Sequence, residues 1–241
     1  MPRFPIDDSN IKEGKIFIYG SDHKHISKVL RFGKDDLLTL FTRDKEYLAK
    51  IEEINSKVII LDILESLYVC RESKLGIHLF QGVLKSSNMD FIVQKCTELG
   101  VSSITPVINE RSQINKTNKI KRWIRITEES CKQCGRNKPV IINELEYLET
   151  ILKGQISKGE NILLDINSDI NFKSYLKSIK KPPQSINIFI GPEGGFSPGE
   201  ISILSNKDIT PLSFGPRVLR AETAAISAVS VIQFLFGDMQ S

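Results

Sequence analysis

The first 70 residues and the rest of the chain carry different patterns of apolar positions. Lys15–Tyr19, Asp36–Thr42, Tyr47–Ile54 and Val58–Leu64 are short runs, alternating or wholly apolar, bounded by Gly, Asp or Asn. Runs of this kind read as strands, and their succession predicts a small β-barrel or β-sandwich. Among them, His25–Arg31 places Ile26, Val29 and Leu30 at helical spacing, enough for one or two turns.

From about Leu75 the pattern becomes an alternation of strands and helices. Leu75–Leu84 reads as a strand. Met89, Ile92, Val93, Cys96 and Leu99 then recur at the period of an amphipathic helix, with Asn88 as its expected cap and Gly100 as its stop. Ser103–Ile108 is the next strand, and a β-α-β unit predicts a parallel sheet. Further strands are expected at Val140–Ile142, Asn161–Asp165, Ile186–Ile190 and Thr210–Phe214. Helices are expected at Lys119–Gln133, Leu145–Leu152, Phe172–Ile179, from Ser197, and at Arg220–Phe236. At Ser197 the start is explicit: a capping serine, Pro198 at the first helical position and Glu200 to close a capping box. The boundary between the two patterns is expected near residues 65–76, dividing 1–70 from 71–241.

Composition narrows the class without naming it. The chain has 241 residues, 40% hydrophobic and 26% charged, as a globular protein does. It shows no apolar run near the ~20 residues of a membrane helix and no apolar leader at its start, so a cytoplasmic protein is expected. The cysteines are Cys70, Cys96, Cys131 and Cys134. Cys131 and Cys134 form a C-x-x-C with no second half-site, so neither a metal nor a disulfide framework is expected. The net charge of +4 is mild, but it is unevenly spread. Residues 109–138 hold nine basic and three acidic groups, a net of +6, along with the only tryptophan, Trp123, whereas residues 1–70 hold 11 basic and 12 acidic. A concentrated basic stretch suits a phosphate backbone, and a solvated helix face explains the charge equally well.

Two glycine-containing loops follow predicted strands: Gly191-Pro-Glu-Gly-Gly-Phe196 and Ser213-Phe-Gly-Pro-Arg217. Ligands of open α/β sheets bind outside the carboxyl ends of strands, and glycine lets the backbone approach them. Neither loop is a P-loop or a G-x-G-x-x-G. The second loop runs into Arg217, Arg220, Glu222 and Thr223 at the start of a helix that is otherwise Ala, Ile, Val and Leu. Glu222 suits the positive end of a helix dipole, but the arginines oppose it, which favours a ligand site over a plain helix start.

Together these segments resemble the RsmE family, bacterial 16S rRNA (uracil-N3)-methyltransferases of the SPOUT superfamily. The matching residues are Gln81–Lys85, Met89-Asp90, Gln94–Val101, Pro106, Glu110–Ser112, Gln133–Arg136, Gly191–Gly195 and Gly215–Ala224, with His25–Arg31 and Gly33–Asp35 in the N-terminal region. Cys131, Cys134 and Phe214 depart from the family's usual residues. The resemblance implies a PUA-like β-barrel followed by a trefoil-knotted α/β methyltransferase domain with a mostly parallel sheet, working as a homodimer on 16S rRNA of the small ribosomal subunit. It implies S-adenosylmethionine as cofactor, held by Ile190, Gly191, Gly195, Leu212, Phe214, Gly215 and Leu219. Arg220 and Glu222 are the expected catalytic pair, and Lys28, Arg31, Lys85, Arg111, Gln133 and Arg136 the expected RNA contacts. Two other readings remain open at this point: a SPOUT enzyme with another RNA target, and a non-catalytic RNA-binding assembly factor.

Overall fold

The computed structural model describes residues 3–154, 156 and 158–240. Two compact units divide the chain. The first comprises the residues up to Glu72 together with Cys131–Lys138, and the second comprises Ser73–Ser130 and the residues from Pro139 onward.

The first unit is built on a six-stranded sheet: β1 (Arg3–Pro5), β2 (Ile11–Lys12), β3 (Lys15–Ile18), β4 (Leu37–Phe41), β5 (Lys45–Ile54) and β6 (Ile59–Tyr68). Its order is β1-β4-β5-β6-β3-β2, antiparallel except where β1 joins β4. Alternation along the strands turns Ile16, Ile18, Leu38, Leu40, Ala49, Ile51, Ile59 and Leu61 into one apolar cluster. The β5–β6 register shifts twice, between Leu48 and Ala49 and between Ile51 and Glu53, and such bulges add twist and curl the sheet. The expected helical turns are present but start earlier: α1 (Gly20–Lys24) runs into a π-helical turn at His25–Val29. The π-turn buries Ile26 completely, and the chain leaves it through Arg31, a non-glycine residue at φ 57°.

Charge joins residues 131–138 to this unit. The Glu72 carboxylate accepts from Arg136 Nε at 3.1 Å and Nη2 at 2.7 Å, and from the backbone N–H groups of Asn137 and Lys138. Asn137 donates in turn to the carbonyls of Thr42 and Val69. A second carboxylate, Glu46, is gripped by Arg3 and Arg71. Burial alone would raise its pKa, but the guanidiniums of Arg71 and Arg3 outweigh that and hold it below the usual carboxylate value.

The second unit contains β7 (Gly76–Gly82), α2 (Ser86–Glu98), β8 (Ser103–Ile108), α3 (Ile120–Cys134, its last turn belonging to the first unit), β9 (Ile141–Ile142), β10 (Glu146–Tyr147), α4 (Leu148–Lys153), β11 (Glu160–Leu164), α5 (Phe172–Ser178), β12 (Ser185–Ile190), α6 (Pro198–Ser205), β13 (Thr210–Leu212) and α7 (Ala221–Phe236). Every pairing is parallel, in the order β10-β8-β7-β12-β11-β13 with β9 also on β8. Ile77, Leu79, Ile104 and Ile188 pack with α2 and α7 residues into one core. Val107, Leu163 and Phe189 pack with Leu148 of α4 and Leu204 of α6 into another. A parallel sheet needs both faces covered, and these two clusters cover them. Among the described residues no helix is long and apolar enough to cross a membrane.

Three elements differ from expectation. Asn88 does not cap α2: Lys85 occupies the cap and its carbonyl accepts from Asn88 and Met89, so the helix starts a turn before its apolar periodicity begins. The helix expected from Leu145 starts only at Leu148, because Glu146 and Tyr147 pair with Val107 and Ile108 on the open side of β8. The last strand ends at Leu212, where Ser213 N turns to the Ile170 carbonyl. Gly100 stops α2 as expected. It sits at φ +84°, with its own N–H bonded to Thr97 and that of Val101 bonded to Cys96, the paired bonds of a Schellman end.

Candidate active site

The carboxyl ends of β11, β12 and β13 open onto a cavity of about 700 Å³ in the second unit. Its wall after β11 is Asp165–Asn167. After β12 it is the stretch Ile190–Phe196. After β13 it is formed by Leu212 and Phe214 and continues through Leu219 to Glu222 at the start of α7. Lys85, Asn88 and Arg111 complete it from α2 and from the turn after β8. Hence Ile190, Gly191, Gly195, Leu212, Phe214, Gly215, Leu219, Arg220 and Glu222, drawn from two loops and a helix start, share one cavity with Lys85 and Arg111.

The Gly191–Gly195 loop owes its shape to close approach. A Cβ on Gly191 would lie 2.8 Å from the Cα of Gly195, and one on Gly82 would strike the backbone nitrogen of Pro192. Gly195 turns at φ +67°, with its N–H on the Pro192 carbonyl. The turn after β8 clamps this loop. Asn109 Nδ2 donates to the Gly195 carbonyl at 2.9 Å, and Arg111 Nη1 donates to the Gly194 carbonyl at 3.0 Å. Glu200 closes its capping box with Ser197 and also accepts from Asn109 Nδ2 and from the Glu110 N–H. One carboxylate thus fixes a helix start and the turn that clamps the loop.

The second loop turns at Gly215, φ +88°. Phe214 stands edge-on to Phe172 of α5, 5.6 Å between centroids, which anchors the loop just before this turn. Arg220 is the cap residue of α7 in extended conformation, but its side chain makes no capping bond and is exposed. Glu222 lies half-buried in the first turn, where the helix dipole favours its charge. Lys85, Arg111, Arg217 and Arg220 therefore share a cavity with Asp165, Glu193 and Glu222.

The cavity fits a cofactor that carries both charge and apolar bulk. Backbone at Gly191, Gly194 and Gly195 lines it, and a Cβ added at Gly195 or Gly215 would meet no atom within 4 Å, so side chains at either place would project into open space. Ile190, Leu212, Phe214 and Leu219 supply apolar walls.

The other expected contacts lie in the first unit. Lys28 and Arg31 are exposed on and just after the π-helical turn, and Gln133 is exposed near the end of α3. Arg136 is only 6% exposed and is committed to Glu72. Trp123 is buried, and its Nε1 donates to Asp90 at 3.0 Å, so its ring offers no open stacking face. Sequence reasoning missed Asn109 and Glu200 as loop clamps and Asp165 as a cavity acid. The capping box marked Glu200 as helical, but nothing local marks its second partner 90 residues away.

Known proteins resemble this chain over nearly its whole length. A family model for the RNA methyltransferase domain matches residues 71–233, and one for the RNA methyltransferase PUA domain matches residues 18–64. The ribosomal RNA small subunit methyltransferase E of Buchnera aphidicola subsp. Acyrthosiphon pisum is 32% identical, covering 100% of this chain and 96% of its own. That of Aquifex aeolicus is 32% identical over 93% of this chain and 96% of its own. The structure of a ribosomal RNA small subunit methyltransferase E from Neisseria gonorrhoeae, bound to S-adenosyl methionine, matches with a TM-score of 0.87 at 29% identity, covering 99% of each chain. A fold of PUA and methyltransferase units, a glycine-lined cavity at the carboxyl ends of a parallel sheet and near-full-length likeness lead to one conclusion: the chain belongs to the ribosomal RNA small subunit methyltransferase E family.

Proposed function

We propose that this protein methylates N3 of a specific uridine in 16S rRNA of the small ribosomal subunit, with S-adenosylmethionine as donor, as a cytoplasmic homodimer. In this reading residues 1–70 are a PUA-like RNA-binding domain and residues 71–241 a SPOUT methyltransferase domain with a C-terminal knot. The observation that carries it is the single cavity uniting the two glycine loops with Arg220 and Glu222. The solved relative bound to S-adenosyl methionine supports the choice of donor.

The cofactor would be held by Ile190, Gly191, Gly195, Leu212, Phe214, Gly215 and Leu219, mostly through backbone groups, and supplies a methyl group on a positively charged sulfur. The remaining work falls to the chain. N3 of uracil bears a proton that must leave, and a base paired within RNA is out of reach, so the target is unpaired or flipped into the cavity. Arg220, exposed beside the cavity, stabilises the negative charge that develops on the uracil ring or grips its phosphate. Glu222, two residues on, accepts the N3 proton. The clamped 191–195 loop keeps the reacting atoms in line, and such positioning supplies much of a transfer rate. Lys85 and Arg111 hold phosphate at the cavity, and Lys28, Arg31 and Gln133 hold RNA from the first unit. Arg136, buried against Glu72, presents the Gln133 segment to the RNA rather than gripping it.

Methylation of small subunits from cells lacking this gene, with mass-spectrometric mapping of the product, tests the substrate. A methyl group on N3 of one 16S uridine is expected, and a methyl group elsewhere overturns the reading. In single-turnover transfer, Glu222→Gln should slow the reaction by about 10²–10⁴-fold. A rate within a few-fold of the parent at all pH values removes Glu222 as the base.

A further inference from the structure

A second cavity, about 490 Å³, lies in the same unit as the first. It is lined by the apolar residues Val83, Leu84 and Ile114, by the edge of the buried Trp123, by Thr117 and Asn118, and by Lys116 and Lys119. The two cavities adjoin along the chain: Val83 and Leu84 line the second, and Lys85 lines the first. Successive Cα atoms are about 3.8 Å apart, so a single backbone step separates one lining from the other.

The chemistry of the second cavity is one-sided. Residues 112–127 contain five basic side chains and no acidic one. Among the described residues the cavity lining brings apolar side chains together with two lysines and no acidic residue. Apolar side chains beside lysines offer a single strand what it needs at one position, non-polar contact for a base and cations for its phosphate. A cofactor-binding role fits less well, since none of its lining residues is a glycine that would bring backbone close to a ligand.

We propose that this second cavity receives the nucleotide adjoining the target uridine. Its base rests against the apolar lining of Val83, Leu84 and Ile114, and its phosphate lies by Lys116 and Lys119. The inference rests on the reading of the first cavity as the methyl-transfer site. With the target uracil in the first cavity, the backbone passes over Lys85, and the neighbouring residue is drawn into the second. Two adjacent slots hold a strand unstacked at the step where the target must leave its neighbours, and this favours the open form of the RNA over the paired one.

Thr117→Trp, which fills the cavity, and the double variant Lys116→Ala/Lys119→Ala, which removes its two charges, are compared with the parent in methyl transfer to unmethylated small subunits. Calorimetry with S-adenosylmethionine is run in parallel. Filling the cavity should raise KM for the subunits by about tenfold, the scale of excluding one nucleotide, with a smaller change in kcat. The lysine variant should lower the slope of log affinity against log salt by about 2, one for each ammonium that no longer neutralises a phosphate. In both variants cofactor affinity should match the parent. An unchanged KM and an unchanged salt slope overturn the proposal. An altered molecular mass in solution for the filled variant also overturns it, by assigning the cavity to a second copy of the chain. A parent protein that binds no S-adenosylmethionine and methylates no subunits would instead refute the function on which the inference rests, a result separable from the others because it involves no variant.

Discussion

In the first unit the long strand β5 buries Tyr47, Ala49 and Ile51 and leaves Leu48, Lys50 and Glu52 partly exposed, whereas all six residues of β8 in the second unit are buried. One sheet has a single apolar face and curls over it. The other is covered on both sides and can be functional only at its ends. The polar chemistry follows. In the first unit charges act as rivets, Glu46 between two arginines and Glu72 against Arg136. In the second, charges gather at the carboxyl end of the sheet, around a cavity whose walls are held by glycine contacts and carbonyl bonds. Burying both faces of a sheet moves its chemistry to the loops, and leaving one face wet lets charge serve as structure.

Three experiments would break or sharpen this contrast. Glu72→Ala removes the acceptor of four hydrogen bonds and takes this carboxylate away from a buried guanidinium, so it should cost about 3–5 kcal/mol. Denaturant unfolding would measure the loss, and amide exchange should place it in the first unit. A loss below about 1 kcal/mol would mean that the rivet is not holding its unit together. Gly82→Ala drives a Cβ into the backbone of Pro192 and displaces the 191–195 loop. An error of about 1 Å in positioning costs on the order of 100-fold in rate, so kcat/KM should fall by about that factor while exchange in the first unit stays unchanged.

The smallest effect is in acid. Burial lowers the pKa of His78, on β7, from its ordinary value of 6.5. Between that value and the lower folded one, the unfolded chain binds more protons, so stability falls as pH drops below about 6.5. Glu46, also lowered, makes its contribution above the ordinary 4.5 and loses it as pH falls further. The second unit should therefore soften first on acidification and the first unit later. Thermal unfolding of the parent and of His78→Asn between pH 8 and pH 4 would show this. A parallel pH dependence in the two proteins would exclude His78 as the source.

Much of the local structure was legible in the sequence, and some long-range structure was not. Ser197, Pro198 and Glu200 announce the start of α6 because capping is decided within one turn. Gly100 announces the end of α2 for the same reason. The shared cavity was foreseeable only as far as loops after strands collect at one end of a parallel sheet. That Glu200 also bonds Glu110, or that residues 131–138 belong with the first unit, depends on partners 90 and 64 residues away, which no window of periodicity contains. Asn88 misled because helix-capping chemistry looks the same one turn inside a helix as at its edge. The two-residue β10 was invisible because its strand character comes from β8 and not from its own residues. The proposed knot is an inference from family likeness, since the order in which loops thread leaves no imprint on hydrophobic spacing.

The edges of the parallel sheet have a consequence for the protein's behaviour in a crowded solution. One edge is made by β9 and β10, each two residues long and both on β8, and the other is β13, three residues long with Pro211 at its centre. Proline offers no N–H to an incoming strand, and a strand of two or three residues gives too little ladder to recruit one. A sheet with an apolar interior this extensive would be an aggregation template if its long central strands lay at the margin. Placing its shortest strands there guards the folded protein against edge-to-edge association, so the protein should tolerate concentration better than its apolar content suggests.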